Sequence, residues 1–193
     1  MTTQEVIKIL LEGETEYVKI ETFSQSPGIY AVFFIGCEFP VFNDAVSKHQ
    51  IIYIGKTESS QEDRDAKTHF TTGRTGGSTL RKSIGSLLLS SKNLKPLPRN
   101  NTDYKEGRYS QFKFDDFSEE IITTWMKSNL ALSFFEFPKS KKEIEKLETD
   151  IIEKLVPILN ISKNPQNPFK DYLQQLRRNA ANLASEEFFR NGV

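Results

Sequence analysis

Apolar and polar positions follow two different periods along this chain. Near the N-terminus Val6, Ile7, Leu10 and Leu11 fall on one face at helical spacing, which predicts a short helix over 3–12. A short strand is expected over 17–20. Pro27-Gly28 then breaks the chain before a run rich in β-branched and aromatic residues, 29–35, which reads as a buried strand. After a loop over about 36–49, the apolar stretch 51–54 reads as a second strand, stopped by Gly55. Two strands joined by one loop are most simply an antiparallel pair.

The helical period returns further on. A helix is expected over about 62–70, then a glycine-rich loop over 72–77. Ser78 can cap a following helix whose face is Leu80, Ile84, Leu87 and Leu88, with Arg81 and Lys82 directed away from it. Residues 91–108 hold two prolines and many polar groups and read as a loop. The alternation over 109–114 suggests a strand, Ser118 caps a short helix to about Lys127, and 130–137 reads as another strand. Ser140 opens a helix to about Leu155 with the stripe Ile144, Leu147, Ile151, Ile152 and Leu155. Asn164-Pro165-Gln166-Asn167-Pro168 is a turn-rich stop before a last helix over about 169–189. This mixture predicts an α/β protein of the α+β type: a small central antiparallel sheet flanked by helices, with an extra C-terminal helix. The expected divisions are an N-terminal extension, 1–26, a central domain, 27–160, and a helical appendage, 161–193.

Composition narrows the class. The chain has 193 residues, of which 37% are hydrophobic and 11% aromatic, enough for a real core and richer than a disordered chain. No run approaches a membrane span, and no basic segment precedes an apolar one as in a signal peptide, so a cytoplasmic location and no membrane partner are expected. The single cysteine, Cys37, excludes an intramolecular disulfide and a cysteine zinc cluster. Net charge is zero, with 26 basic and 26 acidic residues. The distribution is uneven: between Arg64 and Arg99 eight basic residues face one acid, Asp65. Such a stretch can follow a phosphate backbone although the whole chain is neutral.

The polar residues that stand out lie on or beside buried elements. Tyr30 and Tyr53 sit in adjacent strands, can share a face, and need partners for their hydroxyls. Arg64 and His69 lie on the helix after the second strand. Glu148 adjoins the apolar stripe of the 140–155 helix, and Asn160 follows Pro157 at its end. Taken singly, each has an ordinary explanation: strand tyrosines, an arginine paired within Glu62-Asp63-Arg64-Asp65, a solvated helix glutamate.

Together these residues resemble the GIY-YIG nuclease signature. Gly28-Ile29-Tyr30 and Tyr53-Ile54-Gly55 are similar to its two halves, Arg64 and His69 to the arginine and histidine that follow, and the stretch from Glu148 through Pro157 to Asn160 to its closing motif. The resemblance covers about 27–160. Two spacings depart from the family. Tyr30 and Tyr53 are 23 positions apart, so residues around 37–49 read as an insertion. Arg64 and His69 are five apart where the family has four, which on an α-helix rotates His69 by about 100°.

The resemblance implies a metal-dependent DNA endonuclease. Glu148 would hold a single Mg²⁺, with Mn²⁺ as a possible substitute; magnesium keeps most of its waters, so one carboxylate suffices. Tyr30 would be the base, Tyr53 would position water or phosphate, Arg64 would clamp the phosphate, and His69 would relay a proton. Lys56 is the nearest cation in sequence that could lower the Tyr30 pKa, which is about 10 when unperturbed. Asn160 would orient the Glu148 helix end or the phosphate. Arg74, Arg81 and Lys82 are the expected contacts to the DNA backbone, Arg74 and Arg81 doubling as reserves for the arginine role. The oligomeric state, monomer or dimer, stays open. So do two other readings: a nucleic-acid-binding module that no longer cuts, and a protein-interaction domain using the insertion and the last helix.

Overall fold

The structure, a computed structural model, describes residues 1–99 and 111–191, apart from the side chains of 188–191. It divides into two compact units, Met1–Lys67 with Met126–Lys170, and Thr68–Trp125 with the chain from Asp171 onward. In it the first helix groups with the sheet and the last with the second unit.

The first unit holds helix α1 (Thr3–Glu12) and strands β1 (Thr15–Glu16), β2 (Gly28–Phe34) and β3 (Gln50–Thr57). Strand β6 (Leu130–Glu136) and helix α4 (Lys141–Leu155) complete it. The sheet is antiparallel throughout, in the order β1-β6-β2-β3. All seven residues of the central strand β2 are buried, which explains its continuous apolar run. One sheet face is lined by Ile29, Ala31, Phe33 and Ile54. It packs on Val6, Ile7 and Leu10 of α1 and Ile144, Ile151 and Ile152 of α4. The expected strand over 17–20 is instead a single 3₁₀ turn, Tyr17–Lys19, and the pairing with β6 falls just before it, at Thr15 and Glu16. The insertion between β2 and β3 is packed: Phe39 meets Phe34 edge-on with ring centroids 5.1 Å apart, and Phe42 lies 4.8 Å from Phe169.

The edge strand β3 is closed by an unusual device. Ile54 lies opposite Ala31, with its N–H and C=O directed outward from the sheet. The Asn160 side chain answers both: Oδ1 accepts from the Ile54 N–H at 2.8 Å and Nδ2 donates to the Ile54 C=O at 2.8 Å. One amide thus imitates a further strand at an edge that would otherwise leave buried groups unpaired. Asn160→Ala is expected to destabilise the protein by about 2–4 kcal/mol, since both Ile54 groups lose their partner. Urea unfolding measures it, and a loss below about 0.5 kcal/mol would mean that water replaces the amide at no penalty.

The second unit contains α2 (Thr79–Leu88), the hairpin-like pair β4 (Pro96–Pro98) and β5 (Phe112–Phe114), most of α3 (Asp116–Asn129), and α5 (Lys170–Asn191) from its second residue. Strand β4 lies in the stretch expected to be a loop. Its prolines sit at alternate positions, while on either side the Lys95 carbonyl accepts from the Asp115 N–H and the Arg99 N–H donates to the Gln111 carbonyl, the two residues that flank β5. Proline is tolerated in a strand where its missing N–H would face away from the partner. The expected strand over 109–114 begins, among the described residues, at Phe112. Asp115, not Ser118, caps α3, its Oδ1 accepting from the Ser118 N–H at 2.9 Å. Ser118 Oγ instead accepts from the Lys95 N–H. No helix among the described residues is long and apolar enough to cross a membrane.

Candidate active site

The two tyrosines of the site stand on the sheet face opposite the one that packs on α1 and α4. Tyr30 pairs across the strands with Gly55, and Val32 with Tyr53, so both tyrosines project from one face. Their rings lie 6.2 Å apart, tilted by 33°. Gly55 is required by this arrangement: a methyl group there would run into the ring and hydroxyl of Tyr30. Gly28 is required for another reason, since a Cβ would strike the Phe135 carbonyl of the neighbouring strand. The two glycines of the signature are therefore close-approach positions.

Arg64 comes from the segment after β3. Residues Glu62–His69 wind as a π-helix, closing on the fifth residue rather than the fourth. The five-residue step from Arg64 to His69 is thus one turn of this wider helix, and the 100° displacement expected on an α-helix does not arise. Two of the acids near Arg64 are taken up elsewhere: Lys67 Nζ lies 3.0 Å from Asp63 and 3.4 Å from Glu62. Arg64 couples instead to Tyr30. Burial works against the guanidinium cation, but charge and a hydrogen bond shared with Tyr30, with smaller contributions from Tyr53 and Asp65, raise its pKa.

Tyr30, Tyr53, Arg64 and Glu148 line one open cleft of about 490 Å³, together with Lys56, Thr57, Glu58 and Ser59. The electrostatics of Tyr30 differ from expectation. Full burial pushes its phenol well above the ordinary value, Tyr53 and Asp65 push the same way, and Arg64 alone opposes them. Lys56 has no part in this balance; its ammonium is paired with Glu58. The cation that favours a Tyr30 phenolate is therefore Arg64, and Lys56 is a wall of the cleft.

Glu148 is 13% exposed, and Lys163 Nζ donates to its Oε2 at 2.9 Å. A cation already pairs with this carboxylate, so the donor fits a cation chemically, and an open cleft leaves space for the waters magnesium retains. Among the described residues no group of three or more His, Cys, Asp or Glu side chains forms a metal cage.

The remaining sequence-predicted residues fall outside the cleft. Asn160 is buried and spent on Ile54, so it positions β3 rather than touching phosphate. His69 belongs to the second unit, where its Nδ1 lies 2.7 Å from the Ser78 Oγ that caps α2. Arg81, expected to contact the DNA backbone, is wholly enclosed. It is ion-paired with Glu119 and donates also to Thr75, Thr123 and the His69 carbonyl, which leaves it nothing to offer DNA. Lys82 is 8% exposed; burial, with repulsion from Arg177 and Arg99, pulls its ammonium down to about 8. Arg74 is exposed. Sequence reasoning missed Lys163 and Asp65. The first is separated from Glu148 by a turn, and the second is hidden in a charged run that looks solvated.

A family model described as the GIY-YIG catalytic domain matches residues 28–179. Among curated proteins and among solved structures, none matches.

Proposed function

The chain belongs to the GIY-YIG catalytic domain family, whose model covers most of its length, and from that premise we propose that it is a metal-dependent DNA endonuclease. The observation that carries this reading is the shared cleft of Tyr30, Tyr53, Arg64 and Glu148. Phosphodiester hydrolysis needs a nucleophilic water, a group to take its proton, and positive charge for the five-coordinate transition state. Tyr30 is the proton acceptor in this proposal. It is a neutral phenol at physiological pH, so it works through its small phenolate fraction, which Arg64 favours. The planar guanidinium of Arg64 has donors enough for both Tyr30 and a phosphate oxygen. The Tyr53 hydroxyl orients the water or the phosphate from the same face. Glu148 would hold Mg²⁺, which when bound supplies charge at the scissile phosphate and the leaving oxygen.

On the second unit, Arg74 and the group Lys82, Arg99 and Arg177 are proposed to follow the DNA backbone. Three cations gathered at a largely buried lysine repel one another, and an anion relieves that repulsion. The test is cleavage of supercoiled plasmid by the purified protein with Mg²⁺ and with a chelator in excess. Nicked or linear product is expected with the metal and none with the chelator, while DNA binding survives chelation and weakens steeply as salt rises. Cleavage that the chelator does not affect would remove the metal from the proposal, and no cleavage with any divalent ion would remove the nuclease.

A further inference from the structure

Glu148 has a resident partner. Lys163 Nζ donates to Glu148 Oε2 at 2.9 Å and to Glu145 Oε1 at 3.0 Å, so one ammonium bridges two carboxylates a turn apart on α4. The segment that presents this lysine is fastened at several points. Asn164 Nδ2 donates to the Pro157 carbonyl at 2.9 Å. Asn167 Nδ2 donates to the carbonyls of Ile158 and Asn160 at 2.8 and 3.1 Å, and Asn160 is itself clamped on β3. Lys163 sits in the left-handed region with φ 58°, a conformation uncommon for residues other than glycine and asparagine. The fastened turn holds it there.

The environment makes the contact more than an ordinary surface pair. Side-chain exposure is 28% for Lys163 and 13% for Glu148, so the pair is partly withdrawn from solvent and less screened than an exposed one. An ammonium and a divalent ion seek the same carboxylate lone pairs. Glu145 gives the lysine somewhere to remain when Glu148 is taken, since that ion pair is already formed.

We propose that Lys163 is the built-in counter-cation of Glu148, which a divalent metal must displace, and that it thereby sets the metal affinity of the site. The proposal rests on Glu148 as the metal ligand. It makes Lys163 a positioning residue: it keeps the carboxylate neutralised and oriented before the metal arrives, and it raises the metal concentration the site needs.

Mn²⁺ titration followed by the electron paramagnetic resonance of the free ion reads affinity without reference to cleavage. Lys163→Gln removes the charge and keeps the length; Lys163→Asn removes it with a side chain suited to the left-handed backbone. Both are expected to bind Mn²⁺ about fivefold to tenfold more tightly than the native protein, while Lys163→Arg, which keeps the charge, stays within about twofold. Thermal unfolding verifies that the variants are folded. Unchanged or weaker Mn²⁺ binding in the folded charge-removing variants would overturn the proposal while leaving the metal reading standing. Glu148→Gln separates the two: it is expected to abolish the tight site, and if it binds Mn²⁺ as the native protein does, the metal reading and the proposal fall together.

Discussion

Tyr30→Phe is expected to lower the rate of plasmid cleavage by about 10²–10⁴-fold, the range over which positioned proton transfer acts, and to flatten its dependence on pH. The argument starts from burial. Tyr30 is fully enclosed and its phenol is pushed well above the ordinary tyrosine value, with Tyr53 and Asp65 adding to the shift and Arg64 opposing it. At neutral pH the folded protein therefore carries the protonated form, and the phenolate fraction rises tenfold with each pH unit below the pKa. If phenolate takes the proton of the attacking water, the logarithm of the rate climbs with a slope near one from about pH 6 upward. The phenylalanine variant has no such group and shows no slope from this source. Ring packing against Gly55 and Tyr53 survives the substitution, because only the hydroxyl is lost. Initial rates at saturating Mg²⁺ across the folded pH range decide it. A variant that keeps both rate and slope would move the proton transfer to another residue.

The sheet face that carries this chemistry was legible because a strand's period is two. Tyr30 and Tyr53 stand in adjacent apolar runs, and alternation alone allows them a common side. What alternation does not give is the partner directly opposite, and the need for glycine at position 55 appears only once Tyr30 is paired across from it. Arg64 was found by resemblance, but its setting was not. A π-helix differs from an α-helix by one residue per turn and leaves no periodic trace in eight residues of mostly charged sequence. The reading failed most clearly on α2. Leu80, Ile84, Leu87 and Leu88 define a stripe that leaves Arg81 and Lys82 outside it, yet both are buried. Arg81 is enclosed because Glu119, 38 positions away, neutralises it. Pairing at that distance is a tertiary fact that no local pattern encodes. Asn160, Asn164 and Asn167 show the same limit. Asn164 and Asn167 announce a turn and Asn160 a helix end, whereas their side chains act as clamps for backbone groups elsewhere in the first unit.

Asp65→Asn is expected to remove a pH dependence of stability that amounts to several kcal/mol. Asp65 is fully buried. Burial raises its carboxyl from 3.8 to about 8, against smaller opposing pulls from Gln61 and Arg64. Tyr30 and Tyr17 are the acids its charge touches, and it raises both. The sign follows from proton counting. Between about pH 4 and 8 the folded protein keeps the Asp65 proton and the unfolded chain has released it, so each rise in pH favours the unfolded chain, at up to about 1.4 kcal/mol per unit. Below that window both states are protonated and the penalty vanishes. The carboxylates of Glu58, Glu62 and Asp63 are lowered instead, and Lys82, which falls to about 8, is common to native protein and variant, so the difference between the two from about pH 5.5 to 8 reads Asp65. Urea unfolding of native protein and variant over that range should show the native protein losing stability relative to Asp65→Asn as pH rises. A constant difference would mean that the carboxylate is already ionised and compensated in the fold. The same acid bears on the chemistry through Tyr30. As Asp65 ionises near pH 8 its negative charge raises the phenol further, so the climb in cleavage rate should slacken there. In Asp65→Asn it should continue, which makes the variant both more stable and more active at alkaline pH.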